Sequence, residues 1–318
     1  MASKESSKKP TRIEATTKAV LEAAQSLAAR IRADHVLVLA NGKVDRETLR
    51  SMAQSHKVVL ALASKRWVNM LLQEGFHAFH HTSPPLDRVS RIAHAVLSAI
   101  AKDVIKYRAR VVSVSGPLGS DLLDNITIRR TERLFKEVIS LEHEAGERRG
   151  LLAVIKAVLD ICLELGAYGI EGRPVGTIFV VGDTARVLKL SRQITFNPFK
   201  GYDTKQKNVL NPTVRDSIKS FAQIDGAFVI REDGVVNSAG RLLLIPKGTA
   251  AILKGMGARH NAAAFITRET EAIAVVVSQT TGTVSVLSKG RVLLSFSPTS
   301  RTAGALYTTQ KRSEDSKA

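Results

Sequence analysis

A chain of 318 residues has the length of about two domains, and with 44% apolar and 24% charged residues it is neither a disordered polymer nor a membrane bundle. Its one cysteine excludes an intramolecular disulfide. The net charge of +18 points to anionic partners, but it is spread evenly: 25 Lys and Arg face 16 Asp and Glu over residues 1–150, and 22 face 13 beyond. Aromatic residues make up only 5%, too few for a single-strand stacking platform, so nucleic acid is not the expected partner.

The N-terminal stretch MASKESSKKPTR lacks the apolar core of a signal peptide, and the longest apolar runs, such as AIAVVV, are too short to cross a bilayer. The expectation is a soluble cytoplasmic protein without a membrane partner. Residues 1–14 and 301–318 read as flexible, charged tails.

Helical spacing begins at Thr16, with Ala19, Val20, Ala23, Leu27 and Ile31 on one side. HVLVLA then predicts a buried strand, VDRETLRSMAQ a helix with Asp45 near its start, and KVVLALA a second strand. KRWVNMLLQEG is a helix ending in Gly75, and FHAFHH a short strand. A long helix opens at the prolines of PPLDRVSRIAHAVLSAIAKDVI, followed by strands ARVVSVSG and NITIRR. Strands alternating with helices imply a parallel sheet covered by helices, placed at 15–130. His77, His80 and His81 have no nearby carboxylates and no metal-ligand spacing, so they are read as structural. SVSGPLGSD lacks the Lys-Ser/Thr ending of a triphosphate cradle and is read as a turn.

Residues 131–150 form a charged helical connector. LLAVIKAVLDICLELGAYG is a helix that ends at glycine and buries Cys162 as a core thiol. From there strands dominate: GTIFVVGD, DGAFVI, GVVNSAGRLLLI and AIAVVVSQTTGTVSVLSKGRVLL, with the loop NPFKGYD and the helix TVRDSIKSFAQI among them. This predicts a mixed-sheet α/β domain at 145–300.

Small-residue turns gather at the strand ends of this half: VGDT, IDGAF, SAGRL, GMGARHN and SQTTGT. Asp225 supplies a carboxylate, and Arg259, His260 and Asn261 supply donors suited to phosphate oxygens. A carboxylate with a basic cluster is equipment for phosphoryl or nucleotidyl transfer. Two readings stand on these residues: a phosphate or nucleotide site, or a hairpin Asp-Gly and an ordinary polar loop before a buried segment.

Two resemblances add to this. The order of elements over 15–130 resembles the C-terminal domain of pyruvate kinase. The loop after the first strand, ANGKVD, has none of the Ser and Thr that effector sites of that family often carry, so the resemblance implies an oligomerisation scaffold at least as readily. The second half resembles the diadenylate cyclase domain through GTIFVVGDTARVL, NPFKGY, DGAFVI, GVVNSAGRLL, GMGARHNAAAFIT and AVVVSQTTGTVSVLSKG, in that order. The pair of domains is similar to archaeal-type diadenylate cyclases.

That resemblance implies condensation of two ATP into cyclic di-AMP and two pyrophosphates, dependent on a divalent metal, Mn²⁺ or Mg²⁺, in a homo-oligomer whose cyclase domains meet in pairs. It implies catalytic roles for Asp225, Arg259 and His260, with Asp225 as the metal residue. Gly226, Ala227 and Leu242 would line the nucleotide. Gly257, Ala258, Arg259, His260, Asn261 and Ala262 would surround the phosphates, joined by Ser278 and Thr281. Three positions depart from the family's common residues: Ala258 stands for Thr, Asn261 for Arg and Gln279 for Glu. The alternatives are a catalytically weak nucleotide sensor on the same fold and a nucleic-acid-binding protein.

Overall fold

The computed structural model describes residues 11–40, 46–55, 57–132, 150–246 and 252–299. It divides into two compact units, Met1–Ser83 with Arg91–Arg133, and Pro84–Ser90 with Leu134–Ala318. The loop 41–45, most of the expected connector at 131–150, residues 1–10 and the expected tail from 301 lie outside the described residues.

In chain order the first half carries α1 (Arg12–Arg30), β1 (His35–Ala40), α2 (Arg46–Ser55), β2 (Val58–Leu62), α3 (Lys65–Gln73), β3 (His77–His80), α4 (Arg88–Ala101), β4 (Arg110–Ser115) and β5 (Asn125–Arg130). The sheet order is β3-β2-β1-β4-β5. The first four strands are parallel and β5 runs antiparallel to β4 at the edge. One face packs Val36, Val38, Leu60, Val112 and Val114 against Leu21, Ala24 and Ala28 of α1.

Two helices begin where side chains cap them, not where apolar spacing starts. α1 opens four residues before Thr16 because Thr11 and Glu14 form a reciprocal cap: the Glu14 amide donates to Thr11 Oγ1 at 3.3 Å and the Thr11 amide to Glu14 Oε2 at 2.7 Å. Residues 12–14 of the expected tail are therefore helical. α4 opens at Arg88, past the prolines, where the Asp87 carboxylate accepts from the Ser90 amide at 2.8 Å and the Ser90 hydroxyl at 2.9 Å.

The second unit carries α5 (Leu151–Tyr168), β6 (Thr177–Val181), α6 (Thr184–Lys189), β7 (Ser191–Gln193), a 3₁₀ turn (Thr204–Lys207), α7 (Pro212–Phe221), β8 (Ala227–Ile230), β9 (Val236–Leu243), α8 (Ala258–Glu269), β10 (Ile273–Val277), β11 (Val284–Ser288) and β12 (Arg291–Phe296). The seven strands lie in the order β12-β11-β10-β6-β8-β9-β7. Only β6 and β8 are parallel; the other pairings are antiparallel. This is the mixed sheet expected for this half. α6 and β7 leave no signal in the sequence, since a six-residue helix and a three-residue strand carry too little periodicity.

On one face, Ile178, Val180, Ala227, Val229, Ala274 and Val276 pack with Ala263, Ala264 and Ile266 of α8. Phe179 and Phe228, alternating with those residues, stack at 4.6 Å, and Phe199 of the NPFKGY loop meets Phe228 edge-on at 6.2 Å. α5 is apolar and buried on nearly every side and lies against β10 and β11. Cys162 on it is fully buried, and burial pushes its thiol well above the ordinary range, with Asp160 adding to the shift.

α5 approaches the β10–β11 turn through two glycines. A Cβ on Gly166 would sit 2.2 Å from the Gly282 carbonyl oxygen, and a Cβ on Gly282 would sit 2.2 Å from that of Gly166. Backbone blocks both, so no side-chain rotation relieves the clash. Gly166→Ala is expected to cost about 3 kcal/mol or more in urea unfolding. Gly172→Ala, at φ +76° with nothing within 4 Å, should cost only the backbone strain of about 1–2 kcal/mol. Equal midpoint shifts for the two would show that the helix backs away at little cost.

Candidate active site

The site begins with register. Val276 of β10 pairs with Ser285 of β11 and with Ile178 of β6; Ile178 pairs with Ala227 of β8, and Ala227 with Arg241 of β9. Ser285, Val276, Ile178, Ala227 and Arg241 thus form one row across five strands, each step about 4.8 Å. Asp225 and Gly226 lie just before this row at the entry to β8, Gly176 directly before β6, Ser278 directly after β10, and Leu242 just beyond the row on β9. Residues far apart in the chain meet at one end of the sheet.

Asp225 is exposed in the bend that enters β8. Gly226 after it has φ +101°, and a Cβ there would lie 2.6 Å from the Arg241 nitrogen and 2.7 Å from the Gly240 carbonyl carbon. The Asp-Gly turn is pressed onto the backbone of β9, which only glycine allows. The Arg241 guanidinium holds that backbone in turn. It donates to Ser191 Oγ at 2.8 Å and Ser191 O at 2.7 Å, to Leu188 O at 3.0 Å and to Gln193 Oε1 at 3.4 Å. Burial lowers its pKa, but the planar fork is filled with oxygen acceptors. Leu242 beside it is 39% exposed and free to meet a ligand face.

The polar trio lies on a helix and not in a loop. Gly257 is the N-cap of α8 and Ala258 its first residue, so Arg259, His260 and Asn261 stand in the first turns. Gly257 has no side chain, and no side-chain hydrogen bond caps this end. The leading amides of a helix have no intrahelical partner and carry the positive end of the dipole, which suits an anion.

Arg259 is half-buried, with Nη1 3.4 Å from Gln279 Oε1. Gly176 makes the space: a Cβ there would lie 2.8 Å from the Gln279 Cβ and 3.0 Å from Arg259 Nη1. His260 Nε2 lies 3.3 Å from Ser285 Oγ, and burial lowers the imidazole pKa from its ordinary 6.5. Asn261 turns its amide toward the backbone of residues 253–257. Ala262 is half-buried behind it, beside the core of α8.

The turn after β10 is held by its own hydroxyls. The Thr281 amide donates to Ser278 Oγ at 3.4 Å, the Gly282 amide to Ser278 O at 2.9 Å, and Thr281 Oγ1 to Thr283 Oγ1 at 2.9 Å. Ser278 Oγ acts as an acceptor here, which leaves its hydrogen to give. The registers bring Asp225, Gly226, Ala227, Leu242 and Ser278 to one sheet end, and hydrogen bonds link Arg259 to Gln279 beside Ser278 and His260 to the row itself. Gly176, Arg241 and Ser285 are additions that sequence reasoning missed: a glycine before a strand, an arginine within one and a serine on one carry no periodic signal.

Among the described residues, no three His, Cys, Asp or Glu gather into a metal-binding group. A lone exposed carboxylate such as Asp225 fits a cation whose other ligands are substrate phosphates and water, and does not fit a protein-only cage.

A sheet end with a glycine-lined turn, an uncapped helix N-terminus and a poised arginine defines a nucleotide-binding domain. Residues 164–292 match the family model described as DisA bacterial checkpoint controller nucleotide-binding, and residues 16–136 match the Probable sensor domain DacZ_P. The chain is 36% identical over 213 residues to a protein named diadenylate cyclase from Methanocaldococcus jannaschii, covering 67% of this chain and 68% of that one. It is 33% identical over 208 residues to another diadenylate cyclase, from Haloferax volcanii, covering 65% and 75%. The chain belongs to the diadenylate cyclase family of nucleotidyltransferases. Among solved structures, a pyruvate kinase from Cryptosporidium parvum aligns at a TM-score of 0.29 and 18% identity, over 39% of this chain and 24% of its own.

The lowered pKa of His260 gives a testable sign. Desolvation is the cause, so the folded protein binds the proton less readily than the unfolded chain. This contribution to stability is present above 6.5 and is lost as pH falls below it toward the folded-state pKa. In an NMR titration of the nucleotide-free protein, the His260 midpoint should fall below 6.5. A midpoint at or above that value would show that the ring is solvated.

Proposed function

We propose that each second unit binds one ATP with its phosphates at the N-terminal end of α8, and that two such units face each other to make cyclic di-AMP. The single observation that carries this is the row across the sheet, because it sets the Asp-Gly turn, the Arg259 end of α8 and the Ser278 turn at one edge. In the reaction, each ribose 3′-oxygen forms a bond to the α-phosphorus of the opposite ATP. The bond from that phosphorus to the α–β bridging oxygen breaks, and pyrophosphate leaves with the electron pair. The hydroxyl proton is lost.

Asp225 orients the 3′-hydroxyl and draws off its proton. It is also the residue that would hold Mn²⁺ or Mg²⁺ together with the triphosphate, and such an ion would neutralise phosphate charge. Arg259 and the leading amides of α8 oppose the negative charge that builds on the phosphates. His260, as a neutral ring, offers a hydrogen bond but no second full charge. Gly257, Ala258 and Ala262 leave room for the phosphates, while Ser278 supplies a hydroxyl, Thr281 braces the Ser278 turn through Thr283, the backbone of Gly226 and Ala227 lines the nucleotide, and Leu242 gives the adenine an apolar contact. No helix among the described residues is long and apolar enough to cross a membrane, so none competes with this reading as an anchor.

The full chain incubated with ATP and Mn²⁺ or Mg²⁺ should yield cyclic di-AMP and pyrophosphate by mass spectrometry. Asp225→Asn should lower turnover at least about a hundredfold with the melting temperature little changed. ATP bound without product under either metal would leave a nucleotide sensor and overturn the catalytic reading.

One unit with one ATP cannot close a symmetric two-nucleotide ring, so turnover depends on assembly. Specific activity should fall on dilution below the assembly constant. A monomer by light scattering that keeps full specific activity would overturn the paired arrangement.

A further inference from the structure

Asn261 lies one turn into α8, and its amide is fully engaged with the chain before the helix. Oδ1 accepts from the Leu253 amide at 2.9 Å. Nδ2 donates to Met256 O at 2.9 Å and approaches Leu253 O and Gly257 O at 3.3 Å each. A primary amide has two hydrogens to give, and these three carbonyls take both. Little donor capacity remains for a phosphate.

Besides this grip, the segment is closed by a long backbone bond from the Met256 amide to Leu253 O at 3.3 Å. Gly255 has φ +78°, and neither Gly255 nor Gly257 has any atom within 4 Å of where a Cβ would stand. Met256 between them is 42% exposed. A Gly-Met-Gly run has a large conformational entropy, and ordering it on binding would oppose affinity. Upstream, Ile252 and Leu253 pack against the core that α8 completes. The Asn261 amide therefore closes a short circuit: core to Leu253, Leu253 to Asn261, Asn261 to Met256 and Gly257 at the mouth of the helix.

We infer that Asn261 is a positioning residue, which pre-orders the 253–257 segment so that the N-terminal amides of α8 are set before the nucleotide arrives. This rests on the ATP reading above. It separates two roles with opposite consequences. If the side chain met phosphate directly, Asn261→Arg would add a charge and tighten binding. As a clamp, it must accept from Leu253 as well as donate. Arginine has no acceptor, so the added charge does not compensate for the lost loop.

The test uses the full chain in three variants, Asn261→Ala, Asn261→Arg and the near-isosteric Asn261→Asp, which keeps the acceptor but loses both donors. Amide hydrogen exchange without nucleotide is read over residues 253–257 and over the rest of α8. Affinity is read by equilibrium dialysis with 3′-deoxy-ATP and Mg²⁺, since that nucleotide cannot cyclise. Exchange over 253–257 should speed up in Asn261→Ala while α8 beyond its first turn stays protected. Affinity should fall about tenfold in both Asn261→Ala and Asn261→Arg. Should Ala or Arg fail to fold, Asp gives the same two readings. Unchanged exchange in the nucleotide-free variants, or Asn261→Arg binding at least as tightly as the wild type, overturns the clamp. Wild-type protein that does not bind 3′-deoxy-ATP overturns the nucleotide reading instead, and exchange still decides whether Asn261 holds the loop.

Discussion

β6 is hydrogen-bonded to β8 on one side, in parallel, and to β10 on the other, antiparallel. A slip of one residue in either pairing would turn the alternating side chains to the opposite face, moving Ile178, Ala227 and Val276 off the α8 core. It would also pull the Asp-Gly turn away from the level of the Ser278 turn. Because α8 seats on small and branched side chains while Phe179 and Phe228 fill the opposite face, a slip would exchange large and small residues between two packed faces, and this mismatch holds the register that the chemistry needs. The site and the core are fixed by the same two pairings.

The unit treats two arginines in opposite ways. Arg241 is spent on the backbone: its four oxygen acceptors lock β9 against β7 and the end of α6. Among the described residues Arg259 has a long contact to a neutral glutamine, and a glycine clears its space. A carboxylate at position 279 would pair with the guanidinium and offset its charge, whereas the amide steers it without neutralising it. With the His260 pKa lowered and Asn261 committed to the loop, Arg259 and the helix dipole supply positive potential at this end of α8.

Much of the fold was legible because burial writes it in the sequence. VVLAL and IAVVV can only be strands between two covered faces, and α5 announces itself by helical spacing over eighteen residues. The Asp-Gly turn and the Arg-His-Asn run were visible as chemistry, and their family resemblance gave them roles. The helical setting of Ala258–Asn261 was not legible, since two glycines and a polar trio look like a loop until the alanines behind them are seen to pack on the sheet. Nor were Gly176 and Arg241, whose meaning lies wholly in what comes near them from distant segments. Asn261 is the sharpest instance: as a letter it looks like a weakened arginine, and only its partners reveal a bond to the backbone.

The close contact of Gly166 with Gly282 also bears on how the unit reaches its native state. α5 precedes every strand of the seven-stranded sheet and the turn it touches lies between two of the last three strands, so this contact closes a loop of more than a hundred residues. The last strands must be in place before the helix can settle to its final depth. Closing so long a loop is entropically slow, and the apolar helix waits meanwhile with its surface uncovered. During synthesis α5 emerges early and cannot be fully covered until β10 and β11 have followed. In this interval the unit is most exposed to wrong association.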